Sequence, residues 1–225
     1  MVRKVVGSMS EWSGVLKDFF RKIDDGSITL SQLKSFNDHV NPFSPDNSLE
    51  AWQNLYRNLF RIEVDFSTLQ IPTKKEGFDR LIVVAKGITP QIILKQCRKL
   101  FPCDISKVDG INLEKVRSER TSKEMYAVWF CDETEPDQDL RGYSDNDLKS
   151  MPIQGITLEE RLLFELKYFI ETGRHLDLGS VTLCTGSHES DGKVAIVFCR
   201  DRRLFIGTQS TFCDQTYEGS RQAVL

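Results

Sequence analysis

The segment "TLEERLLFELKYFIETG", residues 157–173, constrains the fold of this chain more than any other. Thr157 with Glu160 three residues on has the spacing of a capping box, in which hydroxyl and carboxylate each accept from the other residue's backbone N–H. Gly173 supplies the stop, since helices end readily on a residue that tolerates left-handed backbone. Between them Leu158, Leu162, Leu163, Phe164, Leu166, Phe169 and Ile170 cover so much of the circumference that the helix must be packed on several sides. It predicts a central element surrounded by other layers.

The neighbouring segments supply those layers. "VTLC" (181–184), "VAIVFC" (194–199) and "RLFIGT" (203–208) read as a three-stranded meander. Upstream, "RIEVDF" (61–66) alternates with period two, while "RLIVVA" (80–85) is a continuous run of the kind buried on both faces. "MYAVWF" (125–130) is the next strand, and the intervening length admits a crossover returning it parallel to 80–85. Thr89-Pro90 opens a helix carrying Ile93, Cys97 and Leu100, with Lys95, Arg98 and Lys99 toward its negative end, and Ser144 starts a short one.

The first sixty residues are helical in pattern. Trp12, Val15, Leu16, Phe19, Phe20 and Ile23 form one stripe, Leu30, Leu33 and Phe36 a second, and Leu49, Trp52, Leu55, Tyr56, Leu59 and Phe60 a third, capped by Ser48. "DDGS" (24–27) and "NPFSPDNS" (41–48) break the chain between them. The expected architecture is therefore α+β: a helical subdomain over 1–61, then a domain over 62–213 with a mixed sheet covered by helices and a C-terminal antiparallel meander. Residues 214–225 lack a pattern and read as a loose tail.

Composition excludes several classes. With 225 residues, 30 Lys plus Arg against 33 Asp plus Glu and 40% hydrophobic residues, the chain is an ordinary globular one. Nucleic acid is not indicated, because a duplex binder is usually more basic. No apolar run reaches the 18 residues a membrane helix needs and no signal peptide opens the sequence, so the expectation is a soluble, cytoplasmic protein. Cys97, Cys103, Cys131, Cys184, Cys199 and Cys213 include no C-x-x-C pair and read as mostly reduced thiols.

The stretch "GITLEERLLFELKYFIETGRHLDLGSVTLCTGSHESDG" resembles a group of uncharacterised hypothetical proteins of environmental and candidate-phylum bacteria, most clearly over residues 120–200. The resemblance implies a bacterial origin and carries over no activity and no functional residue.

Candidate chemistry lies in four places. In "CTGSHESDGK" (184–193), Asp191-Gly192 is a two-residue hairpin signal of type I′ that sets Ser190 opposite Lys193 and Cys184 opposite Cys199. That register puts Leu183, Val194, Ile196 and Phe198 on the core face and separates Ser187 from His188, so a Ser-His pair would demand a bulge. In "GRHLDLG" (173–179), His175 and Asp177 share a side in extended backbone, with Arg174 beside them. If the meander folds back, His188 and Glu189 would join His175 and Asp177 as a metal set; otherwise the segment is a loop leaving a helix. Lys86, Gly87 and Thr89 lie at a strand-to-helix junction that suits a phosphate but lack a phosphate-loop spacing. The acidic run Asp132, Glu133, Glu135, Asp137 and Asp139 reads as a solvated loop.

These readings name no cofactor. They favour a non-enzymatic binding or interaction protein that docks a protein partner through its N-terminal aromatic helices. The alternative is a small hydrolase acting on a phosphate ester, with His175, Asp177 and His188 as acid–base or ligand residues and Arg174 as an anion clamp.

Overall fold

A computed structural model describes residues 9–24, 28, 33–34, 45–105, 110–212 and 215–225. The chain forms two compact units, Met1–Ser44 and Pro45–Leu225.

In the first unit α1 (Met9–Asp24) carries the expected stripe, and Trp12, Val15, Leu16, Phe20 and Ile23 on it are exposed. Leu30 and Phe36 of the expected second helix lie outside the described residues.

The second unit begins with α2 (Leu49–Leu55), capped by the Ser48 hydroxyl, which accepts from Ala51 N–H at 3.1 Å. The helix continues into a π-turn, Tyr56–Phe60, that ends on Arg61 in left-handed backbone. Trp52 and Tyr56 are wholly buried, and the Tyr56 hydroxyl donates to Val83 O at 2.7 Å and accepts from Ala85 N–H at 3.1 Å. These contacts tie α2 to the strand that follows, so α2 belongs to the unit Pro45–Leu225, and the unit boundary falls at Ser44 and not at residue 61. The alternation over 61–66 is real as burial, ending on buried Phe66, but the segment forms no strand.

β1 (Arg80–Val84), α3 (Pro90–Leu100), β2 (Cys103–Ile105), β3 (Arg117–Ser118) and β4 (Tyr126–Phe130) follow. β1 and β4 pair antiparallel, Ile82 opposite Val128, in place of the expected parallel arrangement. The chain between them supplies β2 and β3 to another sheet and so never makes the crossover a parallel pair requires. Next come a 3₁₀ turn at Gln138–Leu140, α4 (Asp145–Ser150), β5 (Gln154–Gly155) and α5 (Leu158–Thr172). The Thr157–Glu160 box is formed, Gly173 closes α5 at φ 66°, and every residue from Leu158 to Lys167 is buried.

β6 (Val181–His188), β7 (Val194–Arg200) and β8 (Arg203–Gln209) form the meander within a sheet ordered β2-β8-β7-β6-β3. β2 is parallel to β8, so the sheet is mixed and the α+β class stands. α5 packs on β6 and β7, and the main core takes Cys184, Ala195, Val197, Leu204 and Ile206. The core face is thus the reverse of the expected one, because the side that α5 covers carries Cys184, Ala195 and Val197. Leu183 and Val194 face the other way, into a smaller cluster with Leu140 and Leu148.

The turns exchange roles. Asp191-Gly192 has positive φ at Gly192 alone, Glu189 and Lys193 close a longer loop, and a bulge between Cys184 and His188 sets Cys184 opposite Ala195, not Cys199. The two-residue turn with positive φ at both positions is Asp201-Arg202, at 52° and 59°.

The C-terminal segment is not a tail. β9 (Glu218–Gly219) lies parallel to β6, β10 (Gln222–Ala223) pairs with β5, and Val224 bridges Trp129. Gly155 of β5 lies so close to β6 that a Cβ there would fall 1.6 Å from Thr185 Oγ1.

Candidate functional site

The charged residues of α5 locate the first candidate centre. Arg161 and Glu165 are spaced i, i+4 on a helix with no solvent face along its first ten residues, so each must find a buried partner. Arg161 donates through Nε (2.9 Å) and Nη2 (2.7 Å) to Asp177 Oδ2, and through Nη1 (3.0 Å) to Glu165. The other Asp177 oxygen accepts from Arg221 Nη2 at 2.6 Å, and the Thr182 hydroxyl adds a fourth donor at 2.5 Å. Burial alone would raise the Asp177 pKa, but Arg161, Arg221 and Thr182 hold it below the usual carboxylate value. His175 Nδ1 lies 2.8 Å from Glu165 Oε1, and its ring packs in a triangle with Phe101 and Phe169, centroids 4.9 Å and 4.8 Å away.

His175 and Asp177 therefore belong to one buried cluster, as their spacing indicated, but each faces protein partners and not a cleft. Arg174 is exposed at the surface. His188 goes elsewhere: its Nε2 lies 2.9 Å from Asp145 Oδ2, which also accepts from Lys149 Nζ at 2.9 Å. The bulge that a Ser-His pair would need is present, yet Ser187 is wholly buried, 2.7 Å from the Ser118 hydroxyl and accepting from Leu158 N–H at 2.8 Å. Ser187 thus serves the start of α5. Glu189 contributes its backbone to the hairpin loop. Among the described residues no three His, Cys, Asp or Glu side chains are grouped to hold a metal ion, so the set His175, Asp177, His188 and Glu189 is not assembled.

The strand-to-helix junction has its donors in use. Gly87 N–H donates to Ser122 O at 2.7 Å, Ile88 N–H to Ala85 O at 3.3 Å, and Lys86 pairs with Glu124 at 3.0 Å. Thr89 caps α3 through Ile92 N–H at 3.4 Å.

The acidic loop is exposed at Asp132, Glu133 and Asp139, as a solvated run would be, but it is also fastened to the rest of the unit. Asp132 pairs with buried Arg80 at 2.7 Å. Glu135 accepts from the N–H groups of Leu178 and Gly179 and from the Ser180 hydroxyl, and Asp137 accepts from Gln222 N–H at 2.6 Å. These bonds fasten the loop to the 177–180 turn and to β10. They leave a cavity of about 450 Å³ whose lining includes Phe78, Pro136 and Leu140 together with Glu133, Asp137 and Asp139. Burial, and then the charges of Glu133 and Asp139, raise the Asp137 pKa above its ordinary value despite the Gln222 N–H and Arg221.

Sequence reasoning missed Arg161, Glu165 and Arg221, although Arg161 and Glu165, spaced i, i+4 on a helix packed on several sides, were a readable signal. It also missed the cavity, whose walls come from segments more than a hundred residues apart. No described helix is long and apolar enough to cross a membrane. No protein-family model, no curated protein and no solved structure matches this chain.

Proposed function

We propose that this is a non-enzymatic binding protein of the bacterial cytoplasm whose second unit holds a small ligand in the cavity beside the 131–142 loop. The observation that carries the reading is the cavity itself, about 450 Å³, within the size range of small-molecule sites and walled by both apolar and polar groups. The residues best suited to acid–base work support it from the other side, because Asp177 and Glu165 already accept from buried Arg161 and are closed to a substrate.

Ligand-observed NMR with a panel of small aromatic fragments tests the proposal on the wild type and on Gln138→Trp, which places an indole at the cavity lining. Binding by the wild type that the variant loses is expected. Equal binding by both, or none, overturns the assignment. Turnover of an aryl phosphate that His188→Gln abolishes would favour the hydrolase instead.

A second reading rests on α1, whose exposed Trp12, Val15, Leu16, Phe20 and Ile23 match an amphipathic helix that enters an apolar groove on a partner protein. Photo-cross-links from positions 16 and 20, with none from position 17 on the polar side, are its expected signature in the producing cell.

A further inference from the structure

The cavity beside the 131–142 loop is negative where it is open. Of the acidic side chains in the loop, Asp132 and Glu135 are held by Arg80 and by the 178–180 backbone and hydroxyl donors. The exposed side-chain carboxylates of Glu133 and Asp139 carry no hydrogen bond or ion pair with any described residue, although the Glu133 carbonyl accepts from Arg221 Nη1 at 2.8 Å, and both residues line the cavity. Asp137 lines it too, and its Oδ1 is buried without a partner. The cationic side chain of the lining, Arg141, donates its Nε to Pro136 O at 3.2 Å. Three carboxylates against one guanidinium leave the lining two charges negative, and buried Arg221 behind it is already paired with Asp177.

The rest of the lining decides what kind of cation fits. A bare metal ion would be served by a tight cage of oxygens, and among the described residues no such group is gathered. The space is many times the roughly 30 Å³ that one water occupies. Phe78, Pro136 and Leu140 offer apolar wall to a ligand body, and beside such walls carboxylates attract a cation more strongly than they would in open water.

We infer that the ligand of this cavity is a small organic cation, an ammonium or guanidinium group on an apolar body, with Glu133 and Asp139 as its counter-charges and Phe78 and Leu140 against its body. The inference rests on the reading of the cavity as a binding site and goes beyond it in assigning the ligand's charge.

Three compounds of matched shape separate the two claims: 2-phenylethylammonium, 2-phenylethanol and phenylacetate. Titration calorimetry on the full chain is expected to show the ammonium binding at least about tenfold tighter than the alcohol, the difference that one charge-assisted hydrogen bond supports. Phenylacetate is expected to be weakest. Glu133→Gln/Asp139→Asn should bring the ammonium down to the level of the alcohol, while Glu114→Gln, an exposed acid outside the cavity lining, should leave it unchanged. Added salt should weaken the ammonium alone. If the alcohol binds as tightly as the ammonium, or the double variant keeps full ammonium affinity, the cation assignment falls and the cavity reading survives. If phenylacetate binds best, the assignment is reversed. If none binds, both claims fall. Circular dichroism of the double variant checks that lost binding is not lost folding.

Discussion

Two carboxylate-bearing regions of the second unit stand in contrast. Around Arg161, two arginines face Asp177 and Glu165, every carboxylate oxygen is within reach of a donor, and all four side chains are wholly buried. Around the 131–142 cavity, the carboxylates of Glu133 and Asp139 have no hydrogen-bond or ion-pair partner among the described residues, and both residues line the space. The residue types are the same. What differs is whether protein donors already satisfy the carboxylates, and that decides whether a region can take up anything from solution. A His-Asp pair in a sequence advertises chemistry, but here it is the scaffold.

The contrast breaks first if the Arg161 centre is less tightly coupled than its geometry shows. Asp177→Asn isolates the charge, because Asn tolerates the left-handed backbone of this position (φ 53°) as well as Asp does. It leaves Arg161 with Glu165 alone and Arg221 with the Glu133 and Thr134 carbonyls but no carboxylate, and breaking a buried pair in this way costs about 3–5 kcal/mol. Urea unfolding at pH 7 should show that loss as a lower midpoint with an unchanged slope. The folded Asp177 pKa is depressed, so its contribution is present above the unfolded value of about 3.9 and fades only as pH falls below it. A loss under about 1 kcal/mol would mean that the centre does not hold the fold together.

The cavity makes the opposite demand, and Cys131 in its wall reports on it. Burial, then the charges of Asp137 and Glu133, push this thiol up to about 11. At pH 8 it should react with iodoacetamide about a hundredfold more slowly than an ordinary thiol of pKa about 8.5, the rate rising roughly tenfold per pH unit. Glu133→Gln should speed it. Peptide mapping by mass spectrometry reads the rate, and ordinary reactivity at pH 8 would show that the cavity is neither dry nor negative.

Much of this was legible in the sequence, for local reasons. The capping box, the Gly173 stop, the α1 stripe and the three meander strands each depend on neighbours in the chain, and each formed. What failed depended on distant partners. Residues 61–66 alternate as a strand does but find no strand to pair with. "SRQAV" near the C-terminus has no period, yet Arg221 is wholly buried because Asp177, forty-four residues earlier, receives it. The core face of β6 and β7 depends on which side α5 covers, and that side carries Cys184, Ala195 and Val197 in place of the expected Leu183, Val194 and Ile196. Candidate site residues fared the same way: the 175–177 spacing correctly placed two side chains in one cluster, but which carboxylates would stay unpaired was settled by Arg80, Gln222 and the 178–180 backbone.

The smallest effect gives the sharpest comparison, because the same substitution should have opposite signs in the two regions. At Asp137 burial and the neighbouring Glu133 and Asp139 raise the folded pKa, so the ionised form is disfavoured by folding. That penalty is absent below the unfolded value of about 3.9 and grows as pH rises through the folded one. Asp137→Asn removes the charge while its amide oxygen still accepts from Gln222 N–H, the bond that holds the loop to β10. The variant should therefore be slightly more stable than the wild type at pH 7, by less than about 1 kcal/mol, and equal to it near pH 3. Chemical denaturation at the two pH values measures the difference. Destabilisation at pH 7 would mean that Asp137 is already paired as Asp177 is, and the charge it adds to the cavity would then be spent within the protein.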